Sequence, residues 1–359
     1  MANDMDDLKK LLVEYEAAIA GTDIISPHEL RPIQQGLFGE VGGIMATAKK
    51  HVREKSAYPG YRKAAEEEFG DTLWYLSALC RRRRLRLAEV VNKDLMPSGP
   101  TPVTEDLDTA LMRLGSTTAS MLVEQPSYEL IQKFASHYLE ALSAAGLSFA
   151  DVIRANQRKA CGAFLDPLPE DLIDFDKDFG PEEQLPRDFR IRVNQRSSGK
   201  SYLQWNGVFI GDPLTDNISD PDGYRFHDVF HFANAAILHW SPVVRALIKQ
   251  KRKSKGSFDE EEDSGRAIVV EEGLTAWIFS RAKELKYFEG QTRVSLSILK
   301  TIGEFVDGYE VEKCPLKLWE SSVLQGYDVF RKLKAAEGGI IVGNREARTL
   351  RFEPLEVTE

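Results

Sequence analysis

The chain has 359 residues, too many for one ordinary hydrophobic core, and this length predicts two domains or a duplicated one. A hydrophobic share of 42% and a charged share of 29% describe a folded, soluble protein, and the net charge of −9 argues against generic nucleic-acid binding. Three widely separated cysteines, an acidic N-terminus without an apolar core and no apolar run of membrane-spanning length predict a cytoplasmic protein without a membrane partner.

The first part of the chain has apolar residues at helical spacing, interrupted by proline and glycine. This pattern predicts an all-helical bundle over residues 1–161. The helices that we expect in its first half cover residues 5–20, 36–55, 61–85 and 87–95, ahead of a Pro/Gly-rich stretch.

The stretch after residue 104 resembles the first half of the bundle. ALMRLGSTTASML is similar to GLFGEVGGIMATA, and KFASHYLEAL is similar to EFGDTLWYLS. This predicts an internal duplication, with one copy over 1–97 and a degenerate copy over 104–161. In this alignment of the two copies, Ser116 lies near the position of Glu40. The duplicated chain would therefore form a pseudo-dimer in which one site has the acidic residues.

Residues 162–187 are rich in proline and aspartate and are interpreted as an interdomain linker. Residues 188–359 read as an α+β, mostly helical domain, with a β-hairpin around 197–199. We expect helices there at about 222–250, 264–286, 291–309 and 316–336, followed by a closing hairpin. The predicted fold class is therefore mainly α, a helical bundle followed by an α+β domain.

Three acidic residues in the first domain form the most informative pattern. Glu68 and Asp71 are three residues apart and share a helical face, and Glu40 lies on the preceding helix. Such acids usually belong to a solvated face, but apolar stretches adjoin both sets. Hard oxygen ligands converging from two helices suit Mg²⁺ or Mn²⁺, which we expect as the cofactor.

These residues belong to motifs that resemble the MazG family of nucleotide pyrophosphohydrolases. The motifs are GLFGEVG at 36–42, the basic phrase at 49–53, EEFGDTLWYL at 67–76 and the opening-helix phrase EYEAAIAGT at 14–22. The resemblance covers residues 10–95 well and 105–160 weakly.

The resemblance implies that Glu40, Glu68 and Asp71 bind Mg²⁺ and are catalytic. It also implies that Lys50 and Arg53 contact phosphate oxygens. The reaction of the family splits a nucleoside triphosphate into a monophosphate and pyrophosphate by attack of a metal-activated water.

The chain departs from the family pattern at Gly43, where the family usually has a second acid three residues after the first. Three consequences stay open: Glu67 compensates as a metal ligand, fewer metals bind, or the activity is weakened.

Two pairs of residues loosely resemble the closing N-x-x-K phrase of the family. They are Asn92 with Lys93, and Asn156 with Lys159. Substrate binding in the pocket and a structural role at a helix end are both open for them.

The second domain contains an H-x-x-x-H motif, with two histidines four residues apart on one helical face. A buried, hydrogen-bonded core pair is the alternative to a second metal site. The region resembles a domain that often follows MazG-like units, without an activity that can be transferred. The candidate residues of this second site are His227, Asp228, His231, Arg266, Glu271 and Glu272.

The leading hypothesis is Mg²⁺-dependent hydrolysis of NTP or dNTP to the monophosphate and pyrophosphate, in nucleotide-pool control, with stress and phage defence as candidate settings. The alternative is a nucleotide-sensing module with weakened hydrolysis that regulates a metal- or nucleotide-dependent C-terminal effector domain. A scaffold without nucleotide binding is the third reading. The oligomeric state stays open between a homo-oligomer and a chain whose second copy replaces a partner.

Overall fold

The structure is a computed structural model that describes residues 2–91, 106–216, 219, 221–259 and 262–355. The chain divides into two compact units, residues 1–165 and 166–359. Within the described residues, no helix combines the length and the apolar character that a bilayer crossing needs.

The first unit is helical throughout its described part. Its α-helices are α1 (Ala2–Ile19), α2 (Arg31–Glu54), α3 (Tyr61–Arg82), α4 (Leu87–Val90), α5 (Leu107–Ser120), α6 (Tyr128–Ala144) and α7 (Phe149–Phe164). The side chains of Asp106, Ser127 and Ser148 accept hydrogen bonds from the third backbone amides of α5, α6 and α7. These N-caps explain why the three helices begin where they do.

Helix α2 begins five residues before the predicted start at Gly36. Pro32 lies in its first turn, where proline needs no intrahelical amide bond. The predicted helix 87–95 begins as α4 and leaves the helical conformation at Val91, and residues 92–95 lie outside the described residues.

The core of the first unit forms where α3 packs against α2 and α7, while α1 packs against α7 and α5 against α6. Leu12 and Tyr15 of α1 and Leu73 and Leu76 of α3 are fully buried in it. The internal duplication of this unit stays a prediction.

The second unit contains one antiparallel sheet with the strand order β3-β2-β1-β4-β5. The strands are β1 (Asp188–Gln195), β2 (Ser201–Trp205), β3 (Val208–Leu214), β4 (Gly338–Asn344) and β5 (Thr349–Glu353). Gln195 pairs with Ser201 across the turn at 196–200, and Asn344 pairs with Thr349. Both predicted hairpins are confirmed. The mainly α fold class with an α+β second part is confirmed with them.

The second unit also contains six α-helices in its described part. They are α8 (Asp228–Ile237), α9 (Pro242–Ile248), α10 (Gly256–Asp259), α11 (Glu262–Ala282), α12 (Leu296–Phe305) and α13 (Leu316–Ala336). Of these, α8 and α13 pack on β4 and β5. The single helix predicted over 222–250 is wrong, because this range contains two α-helices, α8 and α9, and the residues between them are not helical. His239 has a left-handed φ of 59°, and Ser241 caps α9 ahead of Pro242.

The predicted linker 162–187 is also wrong in its position, since α7 extends to Phe164 and the second unit begins at Asp166. Asp176 is fully buried, ion-paired with Arg245, and accepts a hydrogen bond of 2.8 Å from the amide of Leu185. A buried carboxylate with these partners fixes this segment to the second unit, although its Pro/Asp-rich composition is typical of a linker.

Candidate functional site

Helices α2 and α3 approach so closely that glycines of α2 meet side chains of α3 directly. A Cβ atom added to Gly36 would overlap the ring of Tyr75, and one added to Gly43 would overlap the carboxylate of Glu68. Both contacts correspond to the same antiparallel register of the two helices. A side chain at either position would require the facing side chain to move, which the flexible Glu68 can do more easily than the ring of Tyr75.

This register places Glu40 at the level of Asp71 on the neighbouring helix. Both side chains are half-buried. Burial raises the pKa of Tyr75, and the negative charges of Glu40 and Asp71 raise it further. The two carboxylates therefore both act on the space beside the Tyr75 hydroxyl, at the edge of the helical core.

Helix α7 brings a cation and an amide to the same acids. Lys159 Nζ donates to Asp71 Oδ2 at 2.5 Å and to Glu67 Oε1 at 2.7 Å, and Asn156 Nδ2 donates to Asp71 Oδ1 at 3.1 Å. Both carboxylate oxygens of Asp71 thus accept hydrogen bonds from α7. The charge repulsion among the acids is partly compensated by a lysine of the chain itself.

A buried tyrosine fixes the amide of this arrangement. Tyr15 is fully buried, and its hydroxyl donates to Asn156 Oδ1 at 2.7 Å. The amide nitrogen of Asn156 is consequently directed at Asp71. Gly70 allows the helices to come this close, because a Cβ atom there would lie 2.9 Å from Asn156 Cβ.

The predicted phosphate-binding residues are placed farther along α2. Lys50 and Arg53 are exposed, and the guanidinium of Arg53 contacts Glu54. At a rise of about 1.5 Å per residue, they lie about 15 and about 20 Å along the helix axis from Glu40. The structure does not bring them to the acids, and their phosphate contact stays a prediction. Asn92 and Lys93 lie outside the described residues.

The sequence reasoning did not commit to Tyr15, Asn156 or Lys159 as site residues. Asn156 and Lys159 are three apart on one face of α7, and this spacing within the N-x-x-K phrase was the available signal. Only the packing of α7 on α3 shows which acid they meet. Tyr15 belongs to the opening-helix motif, whose contact with α7 no local pattern predicts.

The second unit contains a cluster of histidine and acid side chains at the start of α8. His227, Asp228 and His231 each offer one potential metal-ligand atom, and these atoms all lie within 4.8 Å of one another. His227 Nδ1 is 3.0 Å from the carbonyl oxygen of Tyr224, so its Nε2 is the nitrogen available to the cluster. This Nε2 lies 3.9 Å from Asp228 Oδ1 and 3.8 Å from Glu272 Oε2.

His231 is fully buried between two glutamates. Its Nδ1 lies 3.1 Å from Glu271 Oε1 and its Nε2 lies 3.4 Å from Glu272 Oε2, yet neither nitrogen makes a hydrogen bond of good geometry. Burial opposes the charged imidazolium, but the two carboxylates outweigh it and raise the pKa of His231 to about 10. The cluster therefore favours a positive charge at this position.

Glu271 and Glu272 have different surroundings. Glu271 is fully buried and accepts hydrogen bonds from Ser241 Oγ at 2.8 and 3.0 Å, from the amide of Val243 at 3.0 Å and from Asn234 Nδ2 at 3.0 Å. These bonds anchor the N-terminus of α9. The Glu272 side chain is 41% exposed and directs Oε2 to both histidines. Of the two predicted glutamates, Glu272 is the one placed to complete the cluster.

Arg266 does not share the surroundings of the histidines. It lines a cavity of about 380 Å³, whose walls include Trp240, Arg252, Asp259 and Tyr309 and none of the residues of the histidine cluster. The role of Arg266 at the second site therefore stays a prediction.

The two units define a mainly helical protein with an acidic site on a helical bundle and a histidine cluster in an α+β unit. Residues 170–356 match the MazG C-terminal domain family. This match covers more than half of the chain, and the protein belongs to that family, which confirms its resemblance to MazG-like proteins. Neither the comparison with curated proteins nor the comparison with solved structures finds a match.

Proposed function

We propose that the first unit is a Mg²⁺-dependent nucleoside triphosphate pyrophosphohydrolase, which converts NTP or dNTP to the monophosphate and pyrophosphate. The observation that carries the proposal is the position of Asp71. It lies level with Glu40 across the α2–α3 contact and accepts hydrogen bonds from Asn156 and Lys159. The acids at this site can bind a cation, and the ammonium group beside them can contact the phosphate groups of a polyanion.

The donor types at this site suit a hard divalent cation, although among the described residues the ligand atoms that already lie within 4.8 Å of one another belong to His227, Asp228 and His231. Glu40, Glu67, Glu68 and Asp71 offer only carboxylate oxygens, which Mg²⁺ and Mn²⁺ prefer. When bound, such an ion polarises a phosphoryl oxygen and lowers the pKa of a coordinated water. We assign Glu40, Glu68 and Asp71 as its ligands on the resemblance to the MazG family, and Lys159 pairs with both Glu67 and Asp71.

The remaining residues position the acids and the substrate. Tyr15 holds Asn156, and Asn156 holds one oxygen of Asp71, so the carboxylate keeps its orientation when substrate arrives. Lys159 has three donors and uses two of them on Glu67 and Asp71. A substrate phosphate oxygen near Asp71 would meet this ammonium group, which would counter the negative charge that grows as pyrophosphate leaves.

Gly43 makes the acidic site of this chain differ from the usual MazG-like pattern. The Glu68 carboxylate occupies the space next to Gly43 that a side chain at position 43 would otherwise fill. In this chain, the carboxylate of Glu68 on α3 can therefore replace the additional acid that MazG-like proteins usually have on α2. We expect one strongly held metal ion at this site, rather than several.

The test is product formation by the wild-type protein and by Asp71→Ala. NTPs, dNTPs and modified nucleotides are supplied with Mg²⁺ or Mn²⁺, and the products are resolved by mass. We expect monophosphate and pyrophosphate from the wild type, and a rate lower by about 100-fold or more in Asp71→Ala. The exposed variant Asp151→Ala on α7 is the control. Equal hydrolysis by Asp71→Ala and wild type across all nucleotides would refute the proposal.

The alternative of a nucleotide-sensing module is favoured by one observation. Lys159 already compensates part of the negative charge of Asp71 and Glu67, so the acids are less dependent on a metal than a cluster without a cation would be. In that case the protein would bind nucleotide without turnover, and the second unit would respond. Tight nucleotide binding by the wild type, with no pyrophosphate released in the same product screen, would select this alternative.

A further inference from the structure

We propose that the second unit binds one divalent transition-metal ion through His227 Nε2, His231 Nε2, a carboxylate oxygen of Asp228 and Glu272 Oε2. The ligand atoms of His227, Asp228 and His231 lie within 4.8 Å of one another, and Glu272 Oε2 lies 3.8 and 3.4 Å from the two histidine Nε2 atoms. An ion at the centre of these atoms would contact all four side chains after small rotations.

The orientation of the imidazoles is the first argument for a metal. Each histidine has its Nδ1 beside an oxygen, the Tyr224 carbonyl for His227 and the Glu271 carboxylate for His231. Each Nε2 faces Glu272. Metal-binding histidines characteristically have one nitrogen held by a carbonyl or carboxylate oxygen and the other on the metal.

The burial of His231 is the second, independent argument. Its side chain is fully buried, and both ring nitrogens lack a hydrogen bond of good geometry. A buried polar atom without such a bond is costly, and native proteins rarely retain one without a reason. A metal ion at Nε2 satisfies this nitrogen and also balances the charge of Asp228 and Glu272.

Helix geometry and access agree with a site that can be loaded from solvent. His227 and His231 are four residues apart, at the start of α8, so their side chains point to the same face. Glu272 lies on α11. Its side chain is 41% exposed and that of His227 is 13% exposed, so both ligands can be reached from solvent. The buried Glu271 stays with α9 and orients His231 without leaving its own hydrogen bonds.

The ligand types select the class of metal. Two imidazole nitrogens favour Zn²⁺, Fe²⁺, Ni²⁺ or Co²⁺ over Mg²⁺ and Ca²⁺, which prefer oxygen ligands alone. The site differs in this respect from the acidic site of the first unit. The inference does not depend on the proposed hydrolysis.

The experiment uses the full chain in the Asp71→Ala background, which removes an acid of the first unit from the measurement. The protein is freed of metal by a chelator and titrated with Zn²⁺ by calorimetry, and with Co²⁺ by its visible absorption. We expect one equivalent to bind, with a Kd raised by about 100-fold or more in His227→Ala and in Glu272→Gln. Both positions are partly exposed, so these variants should fold even if His231→Ala does not.

Matched controls are His28→Ala and Glu284→Gln, which change exposed residues of the same types elsewhere in the chain. Both should bind Zn²⁺ and Co²⁺ as their parent does. The proposal is overturned if the parent takes up no equivalent of either ion. It is equally overturned if His227→Ala and Glu272→Gln bind with unchanged affinity while circular dichroism shows them folded.

Discussion

The acidic site of the first unit and the histidine cluster of the second unit compensate their negative charges in different ways. In the first, Lys159 donates to Glu67 and Asp71, and the acids lie at a half-buried helix contact. In the second, the fully buried His231 faces two glutamates without a well-formed hydrogen bond. Oxygen ligands beside an ammonium group suit a hard ion with a phosphate substrate, whereas imidazoles with incomplete bonding suit a tightly held transition metal.

The largest expected effect is on the stability of the second unit, through Glu271→Ala. This carboxylate accepts hydrogen bonds from α8, from Ser241 and from the start of α9, and its removal leaves those donors buried without this acceptor and takes away one of the two carboxylates that face His231. We expect the free energy of unfolding of this unit to fall by about 3–5 kcal/mol, measured by urea denaturation. Glu284→Ala, on the surface of the same unit, should change it little. An unaltered midpoint in Glu271→Ala would show that Glu271 has no anchoring role.

The next effect is on hydrolysis in the first unit, through Lys159→Met. If the ammonium group counters charge on the substrate, the rate of pyrophosphate release should fall by about 10–100-fold while the protein stays folded. Arg158→Met, exposed on the same helix, is the control. A faster rate in Lys159→Met would mean that the lysine competes with the metal instead, and the assignment of Lys159 to the substrate would have to be withdrawn.

A smaller effect is expected from Gly43→Ala, compared with Gly42→Ala. Both changes raise helix propensity by about 1 kcal/mol. A Cβ atom at position 42 meets nothing within 4 Å, but one at position 43 displaces the Glu68 carboxylate. We therefore expect similar thermal stability, and a severalfold weaker activation by Mg²⁺ in Gly43→Ala alone. Identical Mg²⁺ dependence of the two variants would show that Glu68 does not bind the metal ion.

The last expected effect appears only on acidification and concerns the non-helical segment between α8 and α9. Burial, with the nearby charges of Arg348 and Arg345, lowers the pKa of His239 from 6.5 to about 4. The unfolded chain therefore takes up this proton first, and the second unit should lose stability as pH falls from 6.5 towards 4. His239→Asn, which tolerates the left-handed backbone, should flatten that slope relative to His28→Asn. Parallel pH profiles of the two variants, measured by urea denaturation, would contradict this role of His239.

Local spacing was sufficient to predict which candidate side chains share a helical face. The three-residue interval between Glu68 and Asp71 and the four-residue interval between His227 and His231 place these side chains on common helical faces, as observed. Three features were not predicted: the start of α2, the end of the helical conformation near His239, and the packing of residues 166–187 on the second unit. They depend on a proline in the first helical turn, a left-handed residue and the buried pairing of Asp176 with Arg245, which composition does not reveal.

Contacts between distant segments limited the prediction further. Lys159 reaches Asp71 across 88 residues of sequence, and Tyr15 reaches Asn156 across 141. No periodicity within one helix specifies such partners. The choice between Glu271 and Glu272 likewise depends on α9, whose N-terminus takes the Glu271 carboxylate and leaves Glu272 to the histidines.

The most direct test of the proposed chemistry in the first unit is hydrolysis of a dNTP in H₂¹⁸O with Mg²⁺, followed by mass spectrometry of both products. Attack of water on the α-phosphorus, with release of pyrophosphate, predicts one ¹⁸O atom in the monophosphate and none in the pyrophosphate. Label in pyrophosphate, formation of a diphosphate with inorganic phosphate, or no turnover of any nucleotide by the folded wild-type protein would contradict the account.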